Sequence, residues 1–407
     1  MGLTFEIFLS KVKAYKDLYR AGVDAMKHFN YTLPFFVFLT FISFILIIGG
    51  CAPRVRPPVS ILDTPEHHVI SGMRLLENGK LFDAEREFRL AIELDHEYSP
   101  VYMGLGLVFG YKGDFSSAFD NMSRAKKLAR SKEEEALTHV GLMRLYTQQK
   151  DKDWLEDVKK NFKRATKTLK DAPGPYFYMG LAYKEAYRFG DAADTFKRVL
   201  EINRTFVDKA DQQFKLVQKI QRAMPGTPIG KKVALLEKVK RADVAALFIQ
   251  ELKLDKLYRK FRPDKFDTSF ESPEEVSIPV DVQDHPLRND VQTVIGLGVK
   301  GLGTFPDGTF APNEFITRAS YAMMIADIIS TIIHDPSLAA KYTGNVSPFV
   351  DVRNDIPSFN AIMVCTIRGI IEPKGDIRQN IFDPRGSVSG GDALFAIRIL
   401  KEDLKIF

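Results

Sequence analysis

The chain has 407 residues, of which 45% are hydrophobic and 27% charged, a composition ordinary for folded protein and a length that calls for two or three domains rather than one. Its formal net charge of +6 is spread along the sequence without the dense basic runs that track a phosphate backbone, which argues against nucleic acid as a partner. With two cysteines in unlike contexts, Cys51 and Cys365, neither a disulfide framework nor a CxxC metal site can be built.

From Leu33 to Ile48 the chain is almost wholly apolar, and it ends in Ile48-Gly49-Gly50-Cys51. The run is short for a spanning helix, but a basic start (Lys27, His28), an apolar stretch and small residues before a cleavage point are the parts of a secretory signal. Residues 1–50 are read as this signal region, and a start at Met26 would give it ordinary proportions. The competing reading makes the Lys-rich stretch before Met26 a cytoplasmic helix ahead of an uncleaved anchor. The Ile-Gly-Gly-Cys run resembles the lipobox of bacterial lipoproteins, which implies diacylglyceryl attachment at Cys51, a membrane as partner through that lipid, and cleavage to make Cys51 the mature N-terminus. Ala52 in the next position fits, by the enteric sorting rule, the periplasmic face of an outer membrane, with the outer face of a plasma membrane as the other choice. Residues 51–64, rich in proline, read as a semi-rigid spacer holding the first domain off the bilayer.

Over residues 65–204 small residues recur at a fixed distance: Gly72, Ala84 and Ala91 are each followed 34 positions later by Gly106, Ala118 and Ala125. Such positions fall where two antiparallel helices approach closely, with Phe88 and Tyr102 filling the space between. A later unit keeps the phase with Tyr176, Gly180, Tyr183, Ala192 and Phe196. The unit between them, with Gly141, Phe162 and Ala165, carries an insertion around Asp151–Trp154. These spacings resemble the tetratricopeptide repeat, which implies a curved solenoid of helical hairpins holding a peptide or protein partner. Its register puts Val69, Met73, Met103, Leu107, Phe177 and Leu181 near the inner surface, as an apolar groove or as packing between helices.

Residues 205–407 carry the most specific motif, Phe305-Pro306-Asp307-Gly308-Thr309-Phe310-Ala311-Pro312 followed by Ile316-Thr317-Arg318-Ala319. It resembles the S-layer homology module, whose start is matched by Val280-Asp281-Val282 and a helix through Val291–Leu297. A second copy runs from Phe349-Val350-Asp351-Val352 through Arg368-Gly369-Ile370-Ile371 and Phe382-Asp383-Pro384 to Ser389-Gly390-Gly391-Asp392. A weaker one ends in Val239–Leu247, with Gln212–Ala223 as its first helix or as a cap on the solenoid. The resemblance implies three degenerate copies (about 205–260, 275–335 and 346–407) around a pseudo-threefold axis. It also implies binding to peptidoglycan or a secondary wall polymer. Thr317 reads as a helix cap, and Arg318 at the first helical position projects beside free amides and the positive helix end, a place for an anion. Arg241 keeps this arrangement and Gly390 does not. Where such modules often carry Asp-His-Trp, this chain has Asp284-His285-Pro286.

Gly296-Leu297-Gly298-Val299-Lys300-Gly301 satisfies GxGxxG but follows a helical stretch and leads into a turn, not the strand-turn-helix of a dinucleotide site. His67 and His68 are neighbours that cannot face one metal, Cys365 sits in an apolar run as a buried thiol, and no nucleophile–base pairing stands out. The sequence therefore reads as an all-α, non-catalytic envelope lipoprotein without metal or cofactor, tethering a membrane to the wall while its repeats hold a partner. The alternative is an envelope assembly or secretion factor whose repeats scaffold a complex and whose modules make only protein contacts.

Overall fold

The computed structural model describes residues 56–261, 277–374 and 380–405, together with positions 13, 16, 17 and 20. The apolar run and Cys51 lie outside the described residues. Among the described residues the secondary structure is helical, with isolated bridges but no strand, and no helix is long and apolar enough to cross a membrane.

Helix α1 (Pro65–Glu77) starts where the Thr64 hydroxyl accepts the His67 amide at 3.2 Å and Pro65 takes a position whose N–H would have had no partner. It pairs with α2 (Leu81–Leu94), and α3 (Ser99–Tyr111) pairs with α4 (Phe115–Leu128). Both turns use a glycine in the left-handed region, Gly79 at φ 72° and Gly113 at φ 83°. α5 (Lys132–Gln149) and α6 (Trp154–Thr168) form the third pair. Its turn is longer: Lys150 adopts φ 50° and Asp151–Asp153 lead into Trp154, which is the insertion expected there. In the fourth pair, α7 (Pro173–Glu185) and α8 (Phe189–Ile202), the equivalent of the turn glycine is Tyr187 at φ 56°.

The helices close on one another through small residues. The Phe88 ring, 0% exposed, fills the space between Gly72 and Gly104. A β-carbon at those glycines would fall 2.7 and 2.3 Å from it, and at Gly180 one would fall 2.6 Å from Phe196. α9 (Val207–Ala223) packs on α8 along one face and on the last helix of the chain, α16 (Gly390–Asp403), along another. One contiguous apolar core accordingly runs from Phe177 in α7 to Leu400 in α16. The hairpin stack and the C-terminal unit share an interior instead of hanging from a linker. The stack also curls: Lys209 at the start of α9 meets Glu77 at the end of α1 at 2.8 Å.

The C-terminal unit holds α10 (Pro228–Ala234), α11 (Arg241–Ala246, continued by a π-helical turn to Glu251), α12 (Leu254–Phe261), α13 (Arg288–Gly296), α14 (Arg318–Ile333), α15 (Phe359–Ile367) and α16. Three segments that each precede a helix meet at its centre and exchange backbone hydrogen bonds in a ring. The Val239 amide donates to Val388 at 2.9 Å, Val388 to Ile316 at 3.3 Å, and Ile316 back to Val239 at 3.1 Å.

One expectation is corrected here. Residues 56–64 do not run out as an extended spacer but fold back on the first hairpin. The Arg56 amide donates to the Glu93 carbonyl at 2.7 Å, and its guanidinium forks onto Asp63 at 2.8 and 2.9 Å. Asp63 is buried at 7% exposure and also accepts the Val59 amide. A bidentate, charge-assisted pair of this kind outweighs the stiffness of Pro57-Pro58 in setting the chain's path.

Candidate functional site

Each of the three central segments is followed by a helix whose first residue is Arg241, Arg318 or Gly390, capped by Lys240, Thr317 or Ser389. Thr317 accepts the Ser320 amide at 3.1 Å and shares a hydroxyl–hydroxyl bond with it at 2.8 Å. Ser389 accepts the Asp392 amide at 3.1 Å and donates to the Asp392 carboxylate at 2.7 Å. Lys240 has no acceptor to offer, and its amide instead donates to Asp243 at 2.9 Å.

The amides expected to be free at these helix starts are occupied. Arg318 and Ala319 donate their N–H groups to Gly386 and Pro384, at 2.8 and 3.0 Å, and Arg241 and Ala242 donate theirs to Glu314 and Pro312, at 2.9 and 3.2 Å. The neighbouring loop supplies the acceptors that an anion-binding helix start would have left for a ligand.

The arginine side chains follow the same logic. Arg318, 3% exposed, donates from Nε to the Phe382 carbonyl and from Nη2 to that of Glu372, both at 2.7 Å, and lies over the Phe382 ring. Arg241, 7% exposed, donates to the Phe310, Gly301 and Gly303 carbonyls at 2.7, 2.8 and 2.9 Å and lies over the Phe305 and Phe310 rings. Burial pushes both guanidinium groups below their ordinary value. The receiving loops are themselves braced alike. Asp281 accepts the Phe310 and Ala311 amides at 2.9 and 2.7 Å, and Asp351 accepts those of Phe382 and Asp383 at the same two distances. Those two aspartates were legible only as part of a module start; their bracing role needed the fold.

The third seam is built differently. A β-carbon on Gly390 would fall 1.6 Å from the Val233 carbonyl oxygen, so no side chain fits, and the Gly390 amide donates to Leu236 at 2.8 Å.

Beside each arginine seam lies a groove. One of about 200 Å³ is lined by Arg318, Lys219, Lys374, Ile371, Asp392 and Phe395 among others. The second, of about 400 Å³, is lined by Arg241, Lys300, Phe305, Phe315, Thr317 and Met323 among others. Thr317 and Arg241 thus share a groove, and Arg318, their expected companion, faces the next one. Lys219, at 2.6 Å from Asp392, joins α9 to the first groove. Burial works against the Asp392 charge, but Lys219 and Ser389 outweigh it and hold that carboxyl below the usual range.

The residues expected along the inner surface of the hairpins divide. Met73 and Met103 line a cavity of about 270 Å³ together with Ala136, Val140, Tyr178 and Phe206. Leu107, 0% exposed, and Phe177, stacked on Phe206 with ring centroids 4.8 Å apart, are interior packing residues. Val69 and Leu181 are half-buried against the apolar clusters. Ala136 and Val140 were missed because the third hairpin is the weak repeat, although their spacing of four on α5 marks one helix face.

Cys365 is enclosed, its Sγ 3.4 Å from the Ala322 carbonyl, and burial pushes its thiol well up. Among the described residues no group of His, Cys, Asp or Glu could hold a metal ion. Residues 281–322 match the S-layer homology domain family, a span that includes Asp281, Phe310, Thr317 and Arg318. A domain of that family associates a chain with the cell envelope or surface. No curated protein matches the chain.

Proposed function

We propose that this chain is a non-catalytic envelope lipoprotein that tethers a membrane to the cell wall. In this reading residues about 205–260, 275–335 and 346–407 are three degenerate S-layer homology copies. Residues 65–204 are tetratricopeptide-type repeats that hold a protein or peptide partner against Met73 and Met103, and Cys51 carries the lipid that fixes the chain to the outer membrane or the plasma membrane. The observation that carries the wall-binding part is the repeated groove. Two seams place a buried arginine, Arg318 within the matched segment and Arg241 ahead of it, under a cavity rimmed by lysine. Wall polymers present carboxylates, as lactyl groups, peptide termini or pyruvyl ketals, and these groups complement such a rim.

The roles divide within each groove. Arg318 and Arg241 use their donors to hold the seams and contribute positive potential from below, since a buried charge is poorly screened. Direct contact with the polymer falls to Lys374 and Lys300, with Thr317 at the edge of the second groove.

Sedimentation with purified sacculi tests this. The side chains of Lys374 and Lys300 are 45% and 81% exposed, so Lys374→Gln and Lys300→Gln leave the fold in place. Each is expected to weaken co-sedimentation by roughly tenfold, the equivalent of one charge-assisted hydrogen bond. Co-sedimentation unchanged in the double variant, or absent from the wild type, refutes the wall-binding reading.

A further inference from the structure

A second cationic site lies in the hairpin stack, away from the grooves of the C-terminal unit. Lys126 of α4, Lys132, Glu135 and His139 of α5, and Arg164 and Lys167 of α6 line a cavity of about 420 Å³. None of the four cations makes an ion pair, a hydrogen bond or a ring contact among the described residues. Cations on and beside these helices divide: Lys159 is matched by Glu156, Arg130 by Glu97 and Lys150 by Glu185, whereas Lys127, Lys160 and Lys163 also lack such a partner among the described residues, so what sets the four apart is their convergence on one cavity. Helix dipoles account for Lys126 and Lys167, which sit in the last turns of α4 and α6. They do not account for Arg164, nor for Lys132, which as the first residue of α5 has the wrong sign for a helix N-terminus.

The second observation is His139, whose side chain is 3% exposed. Asn161 donates its amide to the Asp157 carbonyl at 2.9 Å, which turns its Oδ1 toward His139 Nδ1, also at 2.9 Å. Nδ1 therefore carries the proton. Nε2 is left without a hydrogen bond, 4.0 Å from the Glu135 carboxylate. A ring nitrogen that is oriented by a second side chain, reaches the cavity and has no hydrogen-bond partner in the protein is a group prepared for one.

We infer that this cavity is an oxyanion site for a phosphate-bearing ligand, with Lys126, Lys132, Arg164 and Lys167 supplying charge and His139 Nε2 supplying a hydrogen bond from the floor. The inference stands independently of the wall-binding reading, which concerns other residues. The charged groups facing His139 are Lys126 from α4, Glu135 from its own helix and Arg164 from α6. Burial, then Arg164 and Lys126, hold His139 below its ordinary value against the opposing pull of Asn161 and Glu135, so the empty site holds it neutral. A bound oxyanion favours the imidazolium. Binding takes up a proton, and affinity rises as pH falls through the bound-state value and levels off below the free-state value.

The test uses the full chain at low salt, in non-ionic detergent for calorimetric titration by pyrophosphate and by sulfate, and diluted below the critical micelle concentration of the detergent for titration by phosphatidylcholine vesicles with or without phosphatidic acid. Pyrophosphate or the phosphatidic acid vesicles should bind saturably, and the Arg164→Gln, Lys167→Gln double variant should bind at least about tenfold more weakly. Preference for the vesicles identifies a lipid headgroup as the source; preference for pyrophosphate identifies a soluble or polymer-borne phosphate. Sulfate keeps its charge across the range, so its affinity should rise from pH 8 to pH 6 with a matching shift of the His139 ring resonances. No saturable binding by any anion, or equal binding by the double variant, overturns the site. A flat sulfate profile removes His139 from it.

Discussion

The hairpin stack and the C-terminal unit are held by different groups acting over different stretches of chain. In the stack, glycines and alanines of one helix meet aromatic rings of the next, as Gly72 and Gly104 meet Phe88 and Gly180 meets Phe196. In the C-terminal unit, Arg241 and Arg318 reach carbonyls 54 to 69 positions along the chain, and a ring of three backbone hydrogen bonds ties Val239, Ile316 and Val388 together. A substitution in the stack should therefore be felt by its neighbours, and one at an arginine seam by the whole unit.

The largest effect is expected for Arg318→Ala. It strands the buried Phe382 carbonyl that Arg318 Nε now satisfies, at about 1–3 kcal/mol for a buried unsatisfied acceptor, and leaves the part-buried Glu372 carbonyl to water. Urea unfolding followed by hydrogen exchange checks it. Protection at Ile316 and Val388 should fall with the midpoint while that of α1–α4 persists. An unchanged midpoint would show that Arg318 does not hold its seam, and would return it to the pool of direct ligand contacts.

The second effect is local. A β-carbon at Gly104 falls 2.3 Å from Phe88 Cε1, so Gly104→Ala must displace a ring that is 0% exposed. Overpacking of this size costs about 1–3 kcal/mol. Exchange should speed up in α1–α4, with α14 and α16 unchanged. Equal loss in both regions would erase the distinction between them.

The same contrast explains what was legible in the sequence. The paired helices follow from Gly72, Ala84 and Ala91 and their repeats, because contacts between successive helices leave a period, and the position of each small residue can be counted. The Thr317 and Ser389 caps are local too. The fate of Arg318 was not readable, since its acceptors are backbone carbonyls of Glu372 and Phe382, and a carbonyl carries no residue identity. Nor was the closed third seam, where Gly390 reads as a lost ligand but is required by the approach of Val233. Leu107 and Phe177 show the limit within the hairpins. The repeat gives the helix face, but whether that face is open depends on how far the stack curls, and here Phe206 at the entry to α9 covers Phe177.

One part of the stack is held in the manner of the C-terminal unit, and it gives the smallest and most specific prediction. His68, which the sequence offered only as a rejected metal ligand, sits between two carboxylates, with Nε2 2.9 Å from Asp63 and Nδ1 2.7 Å from Glu87. Burial works against its charge, but Glu87 and Asp63 outweigh it and raise His68 above its ordinary value of 6.5. The Arg56 guanidinium, the Val59 amide and His68 together hold the Asp63 carboxyl well below the carboxylate range. Because the folded value of His68 exceeds the unfolded one, its contribution is complete below pH 6.5 and disappears as pH rises through the folded value, while Asp63 stays ionised throughout. The fold of residues 56–64 onto the first hairpin should accordingly loosen on the alkaline side. The measurement is protection of the Val59 amide, which donates to Asp63 at 2.7 Å, corrected for the intrinsic pH dependence of exchange. Protection should fall across the titration of the His68 ring seen by proton resonance, and His68→Gln should flatten the profile while the α14 and α16 amides show no step. A step of equal size in the C-terminal unit would mean that the clamp and the seams open together, and that the two regions are less independent than their contacts indicate.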